Sequence, residues 1–263
     1  METESIIIKD LSLTAEQRKA VAFIIEFTRR MVLLALTDHM TRKRVSSLSR
    51  EIYRFTDELM TGSINRGTPL PCKKGCYWCC YLRVMVTPLE VMAIVDYLHS
   101  HLQPAELVEL KQHVNNTDGI IRGMDSRRRM SAKKVCPLLV DGACLAYPAR
   151  PIACRVYHSL NPSGCKASLE KEQSSLSIRR DIFGLSAGIF FGLTDGLRTL
   201  GLQTLLLDLK AGLRIAMSDS GPKLAKQWLS GAPAFAAAEL ANAKEIERIQ
   251  QLLIQELGNV IEV

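Results

Sequence analysis

Four of the chain's eight cysteines fall within nine residues, in the run Cys72-Lys-Lys-Gly-Cys76-Tyr-Trp-Cys79-Cys80. The other four follow as Cys136, Cys144, Cys154 and Cys165. Thiolates packed this closely repel one another and oxidise readily, so a chain that keeps them reduced usually gives them a cation to share. The spacing therefore predicts a metal or iron-sulfur centre, with all eight cysteines as candidate ligands. Four thiolates suit tetrahedral zinc, and four also suit a four-iron cluster. Eight allow two such sites, or one closed site with spare thiols. Zinc sites usually carry two C-x2-C pairs and only Cys76-x2-Cys79 has that spacing, which favours iron-sulfur and keeps zinc as the alternative. A disulfide framework is disfavoured, because adjacent Cys79 and Cys80 are awkward to pair with each other and disulfides are rare in a reducing compartment.

These cysteines need elements to bring them together. Asp141-Gly142 between apolar residues is a tight-turn signal, so Cys136 and Cys144 are expected on opposite arms of a short hairpin. Pro148 and Pro151 stiffen the path to Cys154, which is expected on the first turn of a helix, where backbone N–H groups stabilise a thiolate. Ahead of the cysteines, residues 14–36 show apolar positions at helical spacing: Val21, Ile24, Ile25, Thr28, Val32 and Leu36. A second helix is expected over 47–60. Leu82, Val84 and Val86 alternate as a short strand. Thr87-Pro88-Leu89-Glu90 then reads as a capping box opening a helix over 88–99, and another helix should begin at Pro104. Residues 120–134 read as a polar helix or linker. Beyond Cys165 the pattern predicts helices over 176–197, 202–217, 222–229 and 236–257, separated by Gly201, Gly221 and Gly231. The fold expected is mainly α, with a small cysteine-rich metal-binding core containing a short β-hairpin. Its organisation divides into N-terminal helices over 1–61, a cysteine-cluster metal-binding domain over 62–171 and a C-terminal helical region over 172–263, packed as one unit.

The order Cys72, Cys76, Cys79, Cys80, then Cys136-Pro137-Leu138-Leu139, Gly142-Ala143-Cys144, Tyr147, Arg150-Pro151 and Cys154-Arg155 resembles the CxxCxxCC family of zinc- or iron-chelating domains, the YkgJ-type cysteine-cluster proteins. Spacing and noncysteine positions agree together over about residues 67–166. The resemblance implies a metal-centre domain. One activity in that family is flagellin lysine N-methylation, so it also implies, as an alternative, an S-adenosylmethionine-dependent methylase acting on a protein such as flagellin. Cys72-x3-Cys76-x-Trp78-Cys79 resembles the radical S-adenosylmethionine pattern as well, in which three thiolates leave one iron open. Helix rather than a strand-rich barrel is expected after Cys80, and five further cysteines are at hand to close that iron, so an enclosed centre is favoured.

Arg150 and Arg155 are candidates for binding a substrate carboxylate or S-adenosylmethionine, with an internal counter-charge to thiolates as the competing role. His158, four residues past Cys154, is a weaker candidate ligand on one helix face. Tyr77, Trp78, Tyr147 and Tyr157 are expected to pack around the centre and exclude water. His99 and His101 read as surface. No phosphate-binding glycine loop, G-x-S-x-G elbow or H-E-x-x-H motif occurs.

At 263 residues and 47% apolar content the chain can bury a core of its own. Its acidic start, Met1-Glu-Thr-Glu, lacks the features of a signal peptide, and the longest uncharged stretch, residues 182–194, falls short of the ~20 residues of a membrane span. A cytoplasmic, membrane-free protein is expected. The net charge of +7 is concentrated in residues 62–171, with 15 basic and 8 acidic side chains. That excess is expected to offset thiolate charge. A docking surface for an acidic partner or nucleic acid is the less favoured use, since Arg42-Lys43-Arg44 alone reads as a solvated face.

Overall fold

The Thr14 side chain accepts from the Gln17 N–H, and the Gln17 side chain accepts in return from the Thr14 N–H. This capping box starts α1 (Ala15–Leu36), and the six positions expected to face inward are all buried. The computed structural model describes residues 14–65, 72, 75–170 and 180–240. Within them follow α2 (Arg42–Asn65), β1 (Met85–Val86), α3 (Pro88–His101), α4 (Pro104–Ile121), α5 (Ser126–Ala132), β2 (Leu139–Val140) and β3 (Ala143–Cys144). Then come α6 (Ile152–Val156), α7 (Pro162–Glu170), α8 (Arg180–Thr199), β4 (Leu207–Asp208), α9 (Leu209–Ala216) and α10 (Gly221–Leu229). The architecture is mainly α, with two small antiparallel pairings, β1 with β4 and β2 with β3. No helix among the described residues is long and apolar enough to cross a membrane.

α1 packs most extensively against α8. Three glycines on α8 permit the approach: a Cβ built on Gly192 would lie 2.3 Å from the Ile25 carbonyl oxygen, and one on Gly196 would lie 2.7 Å from Val32 Cβ. Gly188 has more room, with Ile24 Cγ2 at 3.1 Å. Arg29 pairs with Asp195 at 3.0 Å across the same contact. One hydrophobic core joins residues from all three parts of the chain, among them Val32 and Ile52, then Val91, Cys136 and Ile152, then Leu193, Trp228 and Phe235. Trp228 is fully buried and donates its indole N–H to the Gln203 carbonyl at 2.8 Å.

Several boundaries move. α2 extends past the expected 47–60 at both ends. The strand expected from Leu82 is only Met85–Val86, which pairs with Asp208 and Leu207. The helix expected over 202–217 begins at Leu209, because residues 207–208 are drawn into that pairing and Asp208 caps α9, accepting from Lys210 N at 3.0 Å. Residues 236–238 form a single 3-10 turn, after which Glu239 bridges to Leu207 and Leu240 N–H bonds Leu206 O. The remainder of the helix expected over 236–257 lies outside the described residues, as do residues 176–179.

The capping box at α3 does more than start a helix. Glu90, 1% exposed, accepts at Oε2 from the Thr87 N–H and hydroxyl, and at Oε1 from the Ile152 N–H at 2.9 Å. One carboxylate thus closes the first turn of α3 and the first turn of α6, the helix that carries Cys154. Glu90→Ala should cost roughly 2–4 kcal/mol in urea unfolding, since it removes a cap and strands a buried N–H. Glu90→Gln should cost less, because its amide oxygen can still accept from Ile152.

Candidate metal centre

The first cysteine group sits on a turn and a 3-10 segment. Gly75 takes a positive φ of 92°, a conformation that glycine alone adopts without strain, and Trp78–Tyr81 wind into a 3-10 helix that holds Cys79 and Cys80. The Cys136 N–H donates to the Cys80 carbonyl at 2.8 Å, which ties the second group to the first through the backbone. Asp141 and Gly142, both with positive φ, turn the β2–β3 hairpin as expected, but it is Leu139 that stands opposite Cys144, and Cys136 lies three residues before β2 rather than on its arm. Cys154 lies on the first turn of α6, its N–H bonded to Pro151 O at 3.0 Å. Cys72 accepts from the Ser159 N–H at 3.4 Å, and Cys165 is buried on α7.

All eight thiols are free, and each is half-buried or buried. The charges that act on each sulfur show which of them are neighbours. Cys79 and Cys80, adjacent in the chain, compete for charge, which holds the Cys79 thiol below its usual range and pushes Cys80 far above it. Burial pushes Cys154 well up, reinforced by Cys136, Cys79 and Cys144. Burial raises Cys136 to about 11, with the Leu138 N–H and Lys210 opposing and Cys144 reinforcing. Burial also raises Cys144, against the pull of the Ala146 N–H and Arg150. Cys79, Cys80, Cys136, Cys144 and Cys154 are thus within electrostatic reach of one another, an inner set. Cys72 is raised by burial and feels Cys76, Cys165 and Cys79, which defines an outer group joined to the inner one at Cys79.

Among the described residues, no three Cys, His, Asp or Glu side chains form a group set to hold a metal ion. The sulfurs are gathered as thiols, within electrostatic reach of one another. Donor chemistry fits a thiophilic metal. Cys79, Cys80, Cys136, Cys144 and Cys154 are the residues that would hold it.

Cations stand where counter-charges are needed. Arg150 acts on Cys79 and Cys144, with its guanidinium 3.9 Å over the Tyr147 ring. Arg155, 3% exposed, donates from Nε to Arg150 O at 2.8 Å, from Nη1 to Asp57 at 2.5 Å and from Nη2 to Pro148 O. All three nitrogens are engaged within the chain, so Arg155 clamps the 147–155 segment onto α2. Arg155→Lys should cost about 2–3 kcal/mol in chemical denaturation despite retaining the charge, because an ammonium cannot reproduce the fork. Loss below 0.5 kcal/mol would contradict the clamp.

His158 does not share a helix face with Cys154, since α6 ends at Val156 and Tyr157 leaves helical geometry with ψ 86°. His99 and His101 are exposed, as expected. Tyr77 and Trp78 pack together with centroids 5.0 Å apart, and Lys166 lies over the Trp78 ring. Burial, then the charges of Cys165, Cys79 and Cys72, raises Tyr157, which places it in the outer group.

Two residues near the sulfurs escape the sequence reading. Lys210, 5% exposed, lies in the field of Cys136 and Cys80 and donates to Lys134 O at 3.1 Å. Asp208 as a helix cap was the available signal that α9 starts there and turns Lys210 inward. Tyr53 gave no signal beyond an apolar helix position. A surface groove of about 570 Å³ has Tyr53, Asp57 and Arg155 in its lining and no cysteine, so Tyr53 and Arg155 are common to the groove and the surroundings of Cys154.

No protein-family profile, no curated protein and no solved structure matches this chain. The motif resemblance therefore stands on its own residues.

Proposed function

We propose that this protein holds a metal centre on clustered thiolates, an iron-sulfur cluster in the first instance and zinc as the alternative. The observation that carries the reading is the backbone tie between the cysteine groups, the Cys136 N–H on the Cys80 carbonyl at 2.8 Å, which sets Cys79, Cys80, Cys136, Cys144 and Cys154 in one another's field with Arg150 and Lys210 as cations beside them. Metal binding would displace the protons of these thiols, so affinity should rise with pH. A bound centre would supply electron transfer if iron-sulfur, or fold stabilisation if zinc. The motif resemblance to the CxxCxxCC family supports the same reading, and the reading places the protein in the cytoplasm. Anaerobic purification followed by visible spectroscopy tests the iron-sulfur form, which requires cluster absorbance that bleaches on chelation.

Two other functions draw on single features. A protein lysine N-methylase using S-adenosylmethionine rests on the family resemblance, with Arg150, 19% exposed at its side chain, the more accessible of the two candidate arginines. Absence of methyl transfer from labelled S-adenosylmethionine to flagellin, with the centre intact, would remove it. A zinc-shaped docking module for an acidic partner or nucleic acid rests on the basic middle segment, and nucleic-acid affinity that does not fall with rising salt would count against it.

A further inference from the structure

The outer face of α1 is apolar. Its buried residues point at the core and at α8, yet Phe23, Phe27 and Leu34 on the other side are 65%, 40% and 83% exposed. These three are not scattered. The Phe23 and Phe27 rings stack with centroids 6.0 Å apart, and Phe27 and Phe55 of α2 have centroids 4.8 Å apart. Half-buried Met31 falls between Phe27 and Leu34 at helical spacing. A continuous stripe of large apolar side chains left open to water marks a place for another surface.

The spacing decides which surface. Phe23, Phe27, Arg30 and Leu34 recur at intervals of four, three and four residues, the d-a-d-a rhythm of a coiled-coil seam with a cation in one core position. Turned end for end on a second copy of itself, with the axis between Thr28 and Arg29, α1 sets Phe23 against Leu34 of the second copy and Phe27 against Arg30 of the second copy. Each pairing then occurs twice. The next layer sets Ala20 against Thr37, both exposed and small enough to let the backbones approach. A guanidinium over an aromatic face is attractive, and Arg30, 71% exposed at its side chain, is held by a surface pair with Glu26 at 2.6 Å that costs little to rearrange. Self-complementarity of this kind is what a two-fold interface requires.

We propose that this face of α1 is an interface between two copies of the chain, α1 packing antiparallel on α1 about a two-fold axis. The contact is a single helix pair flanked by Phe55, which places it with weak, reversible dimers rather than obligate ones. Nothing in this face depends on the metal centre.

Sedimentation velocity of the full chain over a concentration series, under reducing conditions so that no intermolecular disulfide forms, tests the interface. The expected result is reversible dimerisation in the micromolar range, weakened roughly tenfold or more by Phe23→Lys and by Leu34→Glu, each variant melting with the unsubstituted chain in dilute solution. Mixing the two variants should restore a dimer, since one layer then pairs the new ammonium with the new carboxylate and the other keeps Leu34 on Phe23. A monomer at every concentration overturns the proposal, whether another protein or a further segment of this chain covers the face. Undiminished dimerisation in the single variants overturns it as well, and a mixture no better associated than its components overturns the antiparallel pairing.

Discussion

Cys79→Ser should abolish stoichiometric metal binding and lower the melting temperature of the protein as purified. Cys79 is the one sulfur common to both groups: its charge reaches Cys144, Cys154 and Cys72, and adjacent Cys80 holds it below its usual range. A serine oxygen is a poor ligand for a soft metal, and metal-binding free energy is folding free energy where thiols are otherwise forced together. Losing one thiolate ligand should weaken binding by orders of magnitude. Cys165→Ser is the comparison, because Cys165 lies on α7 among the outer sulfurs, and it should retain most of the metal. Metal per chain, measured on both variants after desalting, checks the contrast. Unchanged stoichiometry in Cys79→Ser would overturn the ligand assignment.

Gly192→Ala should be the most damaging single methyl group added to the α1–α8 contact. The new Cβ would stand 2.3 Å from Ile25 O and 2.8 Å from Thr28 Cβ, and a backbone oxygen cannot rotate away. The two helices must separate, and overpacking of this kind costs about 3 kcal/mol or more, against a propensity gain of about 1. Gly196→Ala meets Val32 Cβ at 2.7 Å and Arg29 O at 3.1 Å, neither of which a rotamer change moves, so it should also be destabilising, but less so because its nearest contact is longer. Gly188→Ala, at 3.1 Å from a flexible methyl, should be close to neutral. Gly119→Ala on exposed α4 meets nothing within 4 Å and should stabilise by up to about 1 kcal/mol. Thermal unfolding of the four variants gives the order; a Gly192→Ala protein as stable as Gly119→Ala would contradict the close approach.

Legibility in the sequence followed the range of the forces involved. Local signals carried well: the Thr87 cap, the Asp141-Gly142 turn and the apolar face of α1 all act within a few residues, and each stands as expected. Long-range pairing did not carry. Residues 202–208 have helical composition, yet the β1–β4 pairing and the Asp208 cap hold them out of a helix. The reach of Glu90 to α6 and of Arg155 to Asp57 joins residues far apart in sequence, and no periodicity encodes either. For the site, the cysteines were visible as residue types. Their division at Cys79 into inner and outer groups, and the approach of Lys210, depends on packing between elements far apart in sequence, α2 on α6 and α9 on α3 and α4.

The most direct measurement is the iron, zinc and acid-labile sulfide content per chain of anaerobically purified protein, alongside a count of reactive thiols in the native state. The account predicts a bound centre, roughly four irons with matching sulfide, or one to two zinc ions without sulfide, and at least four thiols protected until the metal is chelated. Protein carrying neither metal, with all eight thiols reactive before any chelator is added, would contradict it.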